Sequence, residues 1–239
     1  MTEEKHYDIA VLGSGPGGYV AALRAAQLGA RVALIERDRI GGTCLNRGCI
    51  PSKAMIESVH ALQIARNGKE YGFEAENIRP SMPAIVQRTQ RVVDQLVGGV
   101  EQLLKAAKVD VYQGHGTLVT PGTIRVNGAE PQEVRSRNVI IATGSEPARI
   151  PVPGADLPGI LTSDNIWGLQ EIPESMIIIG GGVIGVEIAG VFNGLGTKVT
   201  IIEMLPGLLA GADEEIARRF LQFFRRDGVQ VELSATVKE

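Results

Sequence analysis

The feature that most constrains this chain is a pattern that it contains twice. Each copy has an apolar strand, a turn of closely spaced glycines, a helix with small residues, and a second apolar strand that ends in glutamate. The first copy runs from Asp8 to Glu36 and the second from Met176 to Glu203. From the first motif glycine to the closing glutamate, the interval is 23 residues in both copies. The sequence therefore predicts an α/β protein with two related βαβ units.

Each turn fits the pattern Gly-x-Gly-x-x-Gly. The first glycine permits the tight turn, the second allows a phosphate to approach the backbone, and the third lets helix and strand touch. These roles fall to Gly13, Gly15 and Gly18 in the first copy and to Gly180, Gly182 and Gly185 in the second. Because 30 of the 239 residues are glycine, one match alone would be weak and would equally fit an ordinary glycine turn. Two matches in the same context predict two dinucleotide sites.

The two closing glutamates bear on which nucleotide binds. An acid at this strand end accepts hydrogen bonds from the ribose hydroxyls and repels a 2′-phosphate. No arginine stands among the four residues after Glu203, which favours NAD(H) over NADP(H) at the second site. The alternative for Glu36 and Glu203 is a solvated strand end without a ligand.

A proline-rich stretch separates the two copies. A helix is predicted from Ala84 to Ala107, and residues 146–158 contain four prolines that make a stiff linker. We therefore expect one domain over residues 1–149 and a second over residues 150–239.

Composition and charge exclude several classes of protein. The net charge of -3 argues against nucleic-acid binding, and two cysteines are too few for a disulfide-stapled mini-protein. Glu187 and Lys198 interrupt the one long apolar stretch, and its many glycines further argue against a membrane span. The N-terminus shows neither a basic start nor an apolar signal segment, so the expectation is a cytoplasmic protein.

Both cysteines lie close together, Cys44 and Cys49, in the segment 41–53. They could be small buried hydrophobes or metal ligands, but two thiols fall short of the four ligands that zinc prefers, so no metal site is predicted. The alternative in which the two cysteines take part in a reaction is a reversible disulfide. A helix predicted to begin at Ile50 would place Cys49 at its N-terminus, where the helix dipole and Lys53 stabilise a thiolate.

These motifs, with the segment 139–145, resemble the pyridine nucleotide-disulfide oxidoreductases, and within that family the dihydrolipoamide dehydrogenase branch. The resemblance covers essentially the whole chain, and the cysteine motif is highly specific. It implies Rossmann-like FAD- and NAD-binding modules of the three-layer ββα type, the second incomplete. Val183 stands where glutathione reductases carry a gating tyrosine, which favours the lipoamide branch.

The resemblance also implies the cofactor-binding residues. FAD would contact Gly13, Ser14, Gly15, Pro16, Gly17, Gly18, Glu36, Arg37, Gly42, Thr43, Cys44, Cys49, Lys53, Gly116, Ala142, Thr143, Gly144 and Ser145. NAD would contact Gly180, Gly182, Val183, Ile184, Gly185, Glu187, Glu203 and Val237.

Catalytic roles follow from the same resemblance. Cys49 would face the flavin, Cys44 would exchange with the substrate, and Lys53 would lie near the flavin and pair with Glu187. Dihydrolipoamide would reduce the disulfide, and its electrons would pass through FAD to NAD⁺. The implied partners are lipoamide on the acyltransferase of a 2-oxoacid dehydrogenase complex and a second copy of the chain in a homodimer.

The sequence departs from the family in one respect. Family members complete the site with a histidine and a glutamate from a C-terminal dimerisation domain, and with a Gly-Asp strand that holds the flavin ribityl chain. His6, His60 and His115 do not match that histidine. The chain therefore resembles the N-terminal half of such an enzyme, with little turnover expected by itself. The competing interpretations are a glutathione or mercuric reductase and a nucleotide-binding module without turnover.

Overall fold

The structure is a computed structural model that describes residues 5–238. Its elements, in chain order, are β1 (His6–Leu12), α1 (Pro16–Gln27), β2 (Val32–Glu36), α2 (Gly42–Arg47), α3 (Cys49–Arg66), α4 (Met82–Ala106), β3 (Asp110–Gln113), β4 (His115–Thr120), β5 (Thr123–Asn127), β6 (Gln132–Ile141), β7 (Ser175–Ile179), α5 (Val183–Leu195), β8 (Lys198–Glu203), α6 (Glu214–Arg226) and β9 (Gln230–Leu233). Two short 3₁₀ turns lie at Gly68–Tyr71 and Ile166–Gly168. The predicted α/β class is confirmed, and α4 confirms the long helix expected between the two glycine motifs.

The chain forms two compact units. The first contains the described residues up to Pro51 together with Arg91–Glu146, and the second contains Ser52–Gln90 and the residues from Pro147 onward. The change of unit at residue 146 lies close to the boundary expected from the proline-rich stretch. The segment Ser52–Gln90, in contrast, groups with the second unit although it precedes that stretch.

A six-stranded sheet organises the first unit, in the order β3-β2-β1-β6-β5-β4. β1 lies in its middle and pairs in parallel with β2 and with β6, so that Ala10 stands beside Ala33 and Val139. All five residues of β2 are buried, as expected for a parallel strand covered on both faces. This topology brings the carboxyl ends of β1, β2 and β6 to the same edge of the sheet.

Two apolar clusters cover the two faces of that sheet. On one face, side chains of α1 and α4 pack on Val11 and Leu34. On the other face, Ile124 of β5 packs with Ala10 and Ala33. The hairpin of β4 and β5, which continues the sheet through the pairing of β5 with β6, therefore folds back over this face as a third layer, in agreement with the ββα arrangement that the family resemblance implies.

The second unit contains a parallel sheet in the order β7-β8-β9. Its core includes Phe192 of α5 and Ile201 of β8, both with no exposed surface. Met55 and Val59 of α3 belong to the same core, which explains why Ser52–Gln90 groups with this unit. None of the helices within residues 5–238 combines the length and apolarity that a membrane crossing requires.

Candidate functional site

The first glycine turn joins β1 to α1 and leaves the start of that helix open. Gly13 has a φ of 99°, in the left-handed region that favours glycine. Gly15 is the N-cap of α1, the first turn of the helix is uncharged, and no side chain in the described part of the chain caps it. A Cβ added at Gly15 would have no described atom within 4 Å beyond its own local backbone and chain neighbours. The exposed amides and the helix dipole therefore face open space, as a phosphate site requires.

Glu36 holds a fixed position beside this turn. The residue is 6% exposed. Its Oε2 accepts hydrogen bonds from the backbone N–H of Ser14 at 2.8 Å and from Ser14 Oγ at 2.5 Å. Its Oε1 accepts a third from the backbone N–H of Asp38 at 2.8 Å. These bonds compensate the burial of the carboxylate, and they hold it at the strand end where a ribose hydroxyl would be recognised.

Two further glycines bring the cysteine segment against the same turn. Gly41 and Gly42 have φ values of 96° and 58°, and the N–H of Gly41 donates to the backbone oxygen of Ser14 at 3.1 Å. A Cβ on Gly42 would lie only 2.7 Å from Gly15 Cα. Helix α2 begins at Gly42. The start of the cysteine segment is therefore in close contact with the glycine turn.

Cys44 and Cys49 lie on two consecutive helices of that segment. Cys44 is in α2 and partly buried, whereas Cys49 is the first residue of α3 and is exposed. Two cysteines on consecutive helices and five positions apart in sequence are the kind of pair that a reversible disulfide requires.

An ion pair in the second unit joins Lys53 of α3 to Glu187 of α5. The distance from Lys53 Nζ to Glu187 Oε1 is 2.9 Å, with 59% and 28% of the two side chains exposed. A partly exposed pair of this kind contributes at most about 1 kcal/mol to stability. Its main effect is to fix the position of the two side chains relative to each other. The two residues that the family resemblance pairs are in contact, while their role in catalysis stays a prediction.

The second glycine turn repeats the first. Gly180 has a φ of 104°, and Gly182 is the N-cap of α5, whose first turn is uncharged. Glu203 is 8% exposed, and its carboxylate accepts hydrogen bonds from the N–H groups of Gly181 at 2.6 Å and Leu205 at 2.7 Å. This turn also has the properties of a phosphate site beside a ribose-binding acid.

The two sites correspond residue by residue with an offset of 167. This offset relates Glu36 to Glu203, and in each unit the glutamate accepts from the residue after the first motif glycine and from the residue two places beyond itself. In each unit a Cβ on the third motif glycine would overlap the carbonyl oxygen of the first. The duplication seen in the sequence is therefore a duplication of hydrogen-bonded geometry.

The segment after β6 completes the edge of the first site. The N–H of Ala142 donates to the Leu12 oxygen at 2.8 Å, and the Ala142 carbonyl lies where a Cβ of Gly13 would stand. Thr143, Gly144 and Ser145 follow and are exposed. The four predicted FAD contacts from Ala142 to Ser145 thus lie at the same sheet edge as Gly13.

Gly116 lies in β4, and its lack of a side chain has a packing reason. A Cβ there would meet the side chain of Leu12, with Ile35 Cγ2 at 3.0 Å and Ile124 Cγ2 at 3.2 Å. The close approach of the third layer to the sheet therefore requires glycine at this position. The adenine contact expected of Gly116 stays a prediction.

Other predicted site residues are surface groups. Arg37 pairs with Glu146 at 3.1 Å, while Val183 and Ile184 are 64% and 56% exposed at the start of α5. Pro16, Gly17 and Thr43 are exposed, and Val237 is partly buried after β9.

The three histidines lie on separate elements. His6 is in β1, His115 is in β4, and His60 is exposed on α3 with Glu57 at 3.7 Å. None of these placements suggests a base held beside a thiol pair.

Two residues that hold the second turn were not predicted as site residues. The N–H of Gly181 donates to the Glu203 carboxylate, and the N–H of Leu209 donates to the Gly181 oxygen at 2.8 Å. Gly41 was predicted only as part of the cysteine segment, and its bond to Ser14 was not. The 167-residue offset between the two sequence repeats identifies Gly181 as the counterpart of Ser14. Leu209 has the unusual φ of 56°, which matches Gly42 at the equivalent place, and composition gives no sign of it.

The residues present fit two dinucleotides. Each unit has an open helix N-terminus and a buried acid beside it. In the first unit, the residues that would hold FAD are Gly13–Gly18, Glu36 and Ala142–Ser145. A separate cleft of about 320 Å³ lies beyond Glu36; its lining, which includes Arg37, Arg39, Glu101 and Gln113, contains none of those residues.

Fold and site together define an α/β protein with two glycine turns of the dinucleotide-binding type and with two cysteines in the segment that contacts the first turn. Residues 7–239 match the family model described as pyridine nucleotide-disulphide oxidoreductase. The chain belongs to this family, as its sequence motifs indicated.

Several curated relatives are similar over nearly the whole chain. A dihydrolipoyl dehydrogenase of Bacillus subtilis is 42% identical over 97% of this chain and 51% of its own length. Proteins of the same name from Acholeplasma laidlawii and Chlamydia trachomatis are 42% and 41% identical, and the chain covers 70% and 50% of their lengths. The chain thus spans about half the length of most of these relatives.

A solved structure supports the fold. The HOCl-induced flavoprotein disulfide reductase RclA of Escherichia coli, determined as a Cu(II) complex, has a TM-score of 0.84 and 30% identity. The match covers 98% of this chain and 51% of RclA.

Proposed function

We propose that this chain is the FAD- and NAD-binding portion of a flavin-dependent disulfide oxidoreductase that oxidises dihydrolipoamide with NAD⁺. The observation that carries the proposal is the close contact between the cysteine segment and the first glycine turn, through Gly41 and Gly42. A dithiol fixed beside a dinucleotide site is the arrangement that electron transfer between thiols and a bound flavin requires.

The residues of the first unit then have distinct roles. The α1 N-terminus at Gly15 binds the pyrophosphate of FAD, and Glu36 binds its ribose. Bound FAD supplies the chemistry that carries an electron pair between a dithiol and a nicotinamide. In the oxidised chain, a thiolate of dihydrolipoamide attacks Cys44, the partly buried cysteine of α2, and displaces Cys49 as a thiolate. The second substrate thiol then displaces Cys44, which leaves lipoamide and the reduced cysteine pair, with Cys49 as the thiol adjacent to the flavin.

The second unit supplies the nicotinamide site and a positioned cation. Gly182 and Glu203 bind NAD(H), and the carboxylate of Glu203 disfavours a 2′-phosphate. The ammonium of Lys53 lies in the first turns of the helix that begins with Cys49, and Glu187 holds it in place at 2.9 Å. The role of Lys53 near the flavin is proposed on the family resemblance alone.

The shared name of the relatives supports a dihydrolipoyl substrate, whereas the proposed partner and assembly state rest on the family resemblance. Lipoamide attached to the acyltransferase of a 2-oxoacid dehydrogenase complex is the proposed substrate, and a homodimer is the proposed assembly. The cytoplasmic location expected from the sequence, and the assignment of residues 1–149 to FAD and 150–239 to NAD, likewise stay predictions.

The proposal is tested with the chain reconstituted with FAD under anaerobic conditions. Dihydrolipoamide should reduce the Cys44–Cys49 disulfide of the oxidised chain, as measured by loss of the disulfide mass and by the flavin spectrum. Reduced glutathione and NADPH serve as the comparison arms. A faster reaction with glutathione, or tighter binding of NADPH than NADH, would contradict the proposal and favour a glutathione-type reductase.

A second candidate is a binding module without turnover, and the placement of the histidines favours it for the isolated chain. His6, His60 and His115 lie on three different elements, and none is placed as a base for the dithiol. We therefore expect FAD binding and the half-reaction with dihydrolipoamide, but little steady-state NADH-linked lipoamide reduction. Rapid turnover by the 239-residue chain would contradict this expectation.

A further inference from the structure

The Ser14 side chain is directed into the protein rather than toward a ligand. The residue has no exposed surface, and its Oγ donates to Glu36 Oε2 at 2.5 Å. A hydroxyl has one proton but can also accept. Here the proton is committed to the carboxylate, so the lone pairs of Oγ are available to a second group.

That second group is the backbone at the start of the cysteine segment. The Gly41 N–H donates to Ser14 Oγ at 3.2 Å and to the Ser14 carbonyl oxygen at 3.1 Å. Gly41 is the N-cap of α2, the helix that contains Cys44. One buried hydroxyl therefore connects the Glu36 carboxylate to the N-cap of α2, the helix that contains Cys44.

The second unit shows how the same fold is built without this connection. Ser14 corresponds there to Gly181, and Gly41 corresponds to Leu208. A Cβ on Gly181 would meet Leu208 Cδ2 and would lie 3.2 Å from Glu203 Oε2, and Leu208 is 3% exposed. An apolar side chain thus occupies the space that the serine hydroxyl uses in the first unit, and the loop that supplies it carries no cysteine.

We propose that Ser14 is a positioning residue that couples the ribose-binding carboxylate of Glu36 to the segment carrying Cys44 and Cys49. Through this coupling, a ligand bound at the first dinucleotide site restrains α2, and loosening of α2 weakens ligand binding at that site. The proposal rests on the proposed function for the identity of the ligand, while the hydrogen-bonded connection itself is a property of the chain alone.

The substitution Ser14→Ala removes the hydroxyl and leaves the backbone bonds in place. In the flavin-free chain, the Gly41 amide should exchange its hydrogen about tenfold faster by NMR, and Cys44 should be alkylated several-fold faster by iodoacetamide. With FAD, the Kd should rise about tenfold, the usual effect of one lost hydrogen bond to a charged group. Ser136→Ala is the matched control, because Ser136 is another buried serine of this unit whose Oγ donates to the Asn138 carbonyl oxygen at 3.0 Å.

A double-mutant cycle with Glu36→Gln separates coupling from general damage. If Ser14 acts through Glu36, the effect of Ser14→Ala on the FAD Kd is clearly smaller in the Glu36→Gln background. Additive effects, or Gly41 exchange and Cys44 alkylation equal to those of the Ser136→Ala control, would overturn the proposal. If the unsubstituted chain binds no FAD, the proposed function fails, and the Gly41 exchange comparison decides the Ser14 proposal by itself.

Discussion

The substitution Gly18→Ala tests the geometry of the first glycine turn most severely. The added Cβ would overlap the carbonyl oxygen of Gly13 and would lie 2.8 Å from its carbonyl carbon. Both are backbone atoms at the end of β1, so neither can move as the end of a flexible side chain can. Overpacking of this kind costs about 1–3 kcal/mol. Because the atoms in the way belong to the backbone, the cost of Gly18→Ala lies at the upper end of that range. The better helix propensity of alanine offsets about 1 kcal/mol of this cost at most, so the net expected loss in the free energy of unfolding is about 2 kcal/mol.

Gly17→Ala is the matched control in the same helical turn. A Cβ at Gly17 would approach only the Ala142 Cβ, at 4.0 Å, so this variant should be as stable as the parent or slightly more stable. Urea unfolding of the flavin-free chains, followed by far-UV circular dichroism, measures both changes in the free energy of unfolding. Equal unfolding midpoints for the Gly18→Ala and Gly17→Ala variants would refute the argument that the third motif glycine is required for contact between helix and strand.

Three further substitutions test other residues of the two units. Glu203→Gln should weaken NADH binding and reduce the preference for NADH over NADPH about tenfold by fluorescence titration, because a charged acceptor of ribose hydroxyls is lost; an unchanged preference would count against its role. Cys44→Ser should abolish reduction of the bound flavin by dihydrolipoamide while leaving the FAD Kd within about twofold, since the glycine turn is untouched; flavin reduction at the parent rate would contradict the exchange role. Tyr7→Phe should cost about 1–2 kcal/mol near neutral pH, because the buried phenol donates to Asp110 at 2.7 Å.

The Tyr7 prediction has a definite dependence on pH. Burial, with the hydrogen bonds to Asp110 and Tyr112, raises the pKa of Tyr7 well above its ordinary value of 10.0. The folded state therefore favours the neutral phenol, and this contribution to stability is complete below pH 10 and decreases as the pH rises above it. The Tyr7→Phe variant should show a shallower alkaline loss of stability in urea unfolding at several pH values. An identical pH dependence in both chains would contradict this assignment.

Much of the site could be predicted because its signals are local and repeated. Gly13, Gly180 and the two glutamates stand at fixed intervals within single βαβ units, and the resulting geometry is set by the turn and the two strands it joins. The reason for Gly116 and the bond between Ser14 and Gly41 depend on segments that meet only in the folded chain. The same holds for Ser52–Gln90, which packs on α5 through long-range apolar contacts that no sequence interval encodes.

In the proposed function, FAD at the first glycine turn and the pair Cys44 and Cys49 form one electron-transfer unit. An anaerobic reductive titration of the FAD-reconstituted, oxidised chain, with the Cys49→Ser variant alongside, measures this. We expect about four electrons per bound FAD in the parent chain, two for the disulfide and two for the flavin, and about two in the variant. Uptake of only two electrons by the parent chain, with the disulfide intact at the end of the titration, would contradict the proposed function.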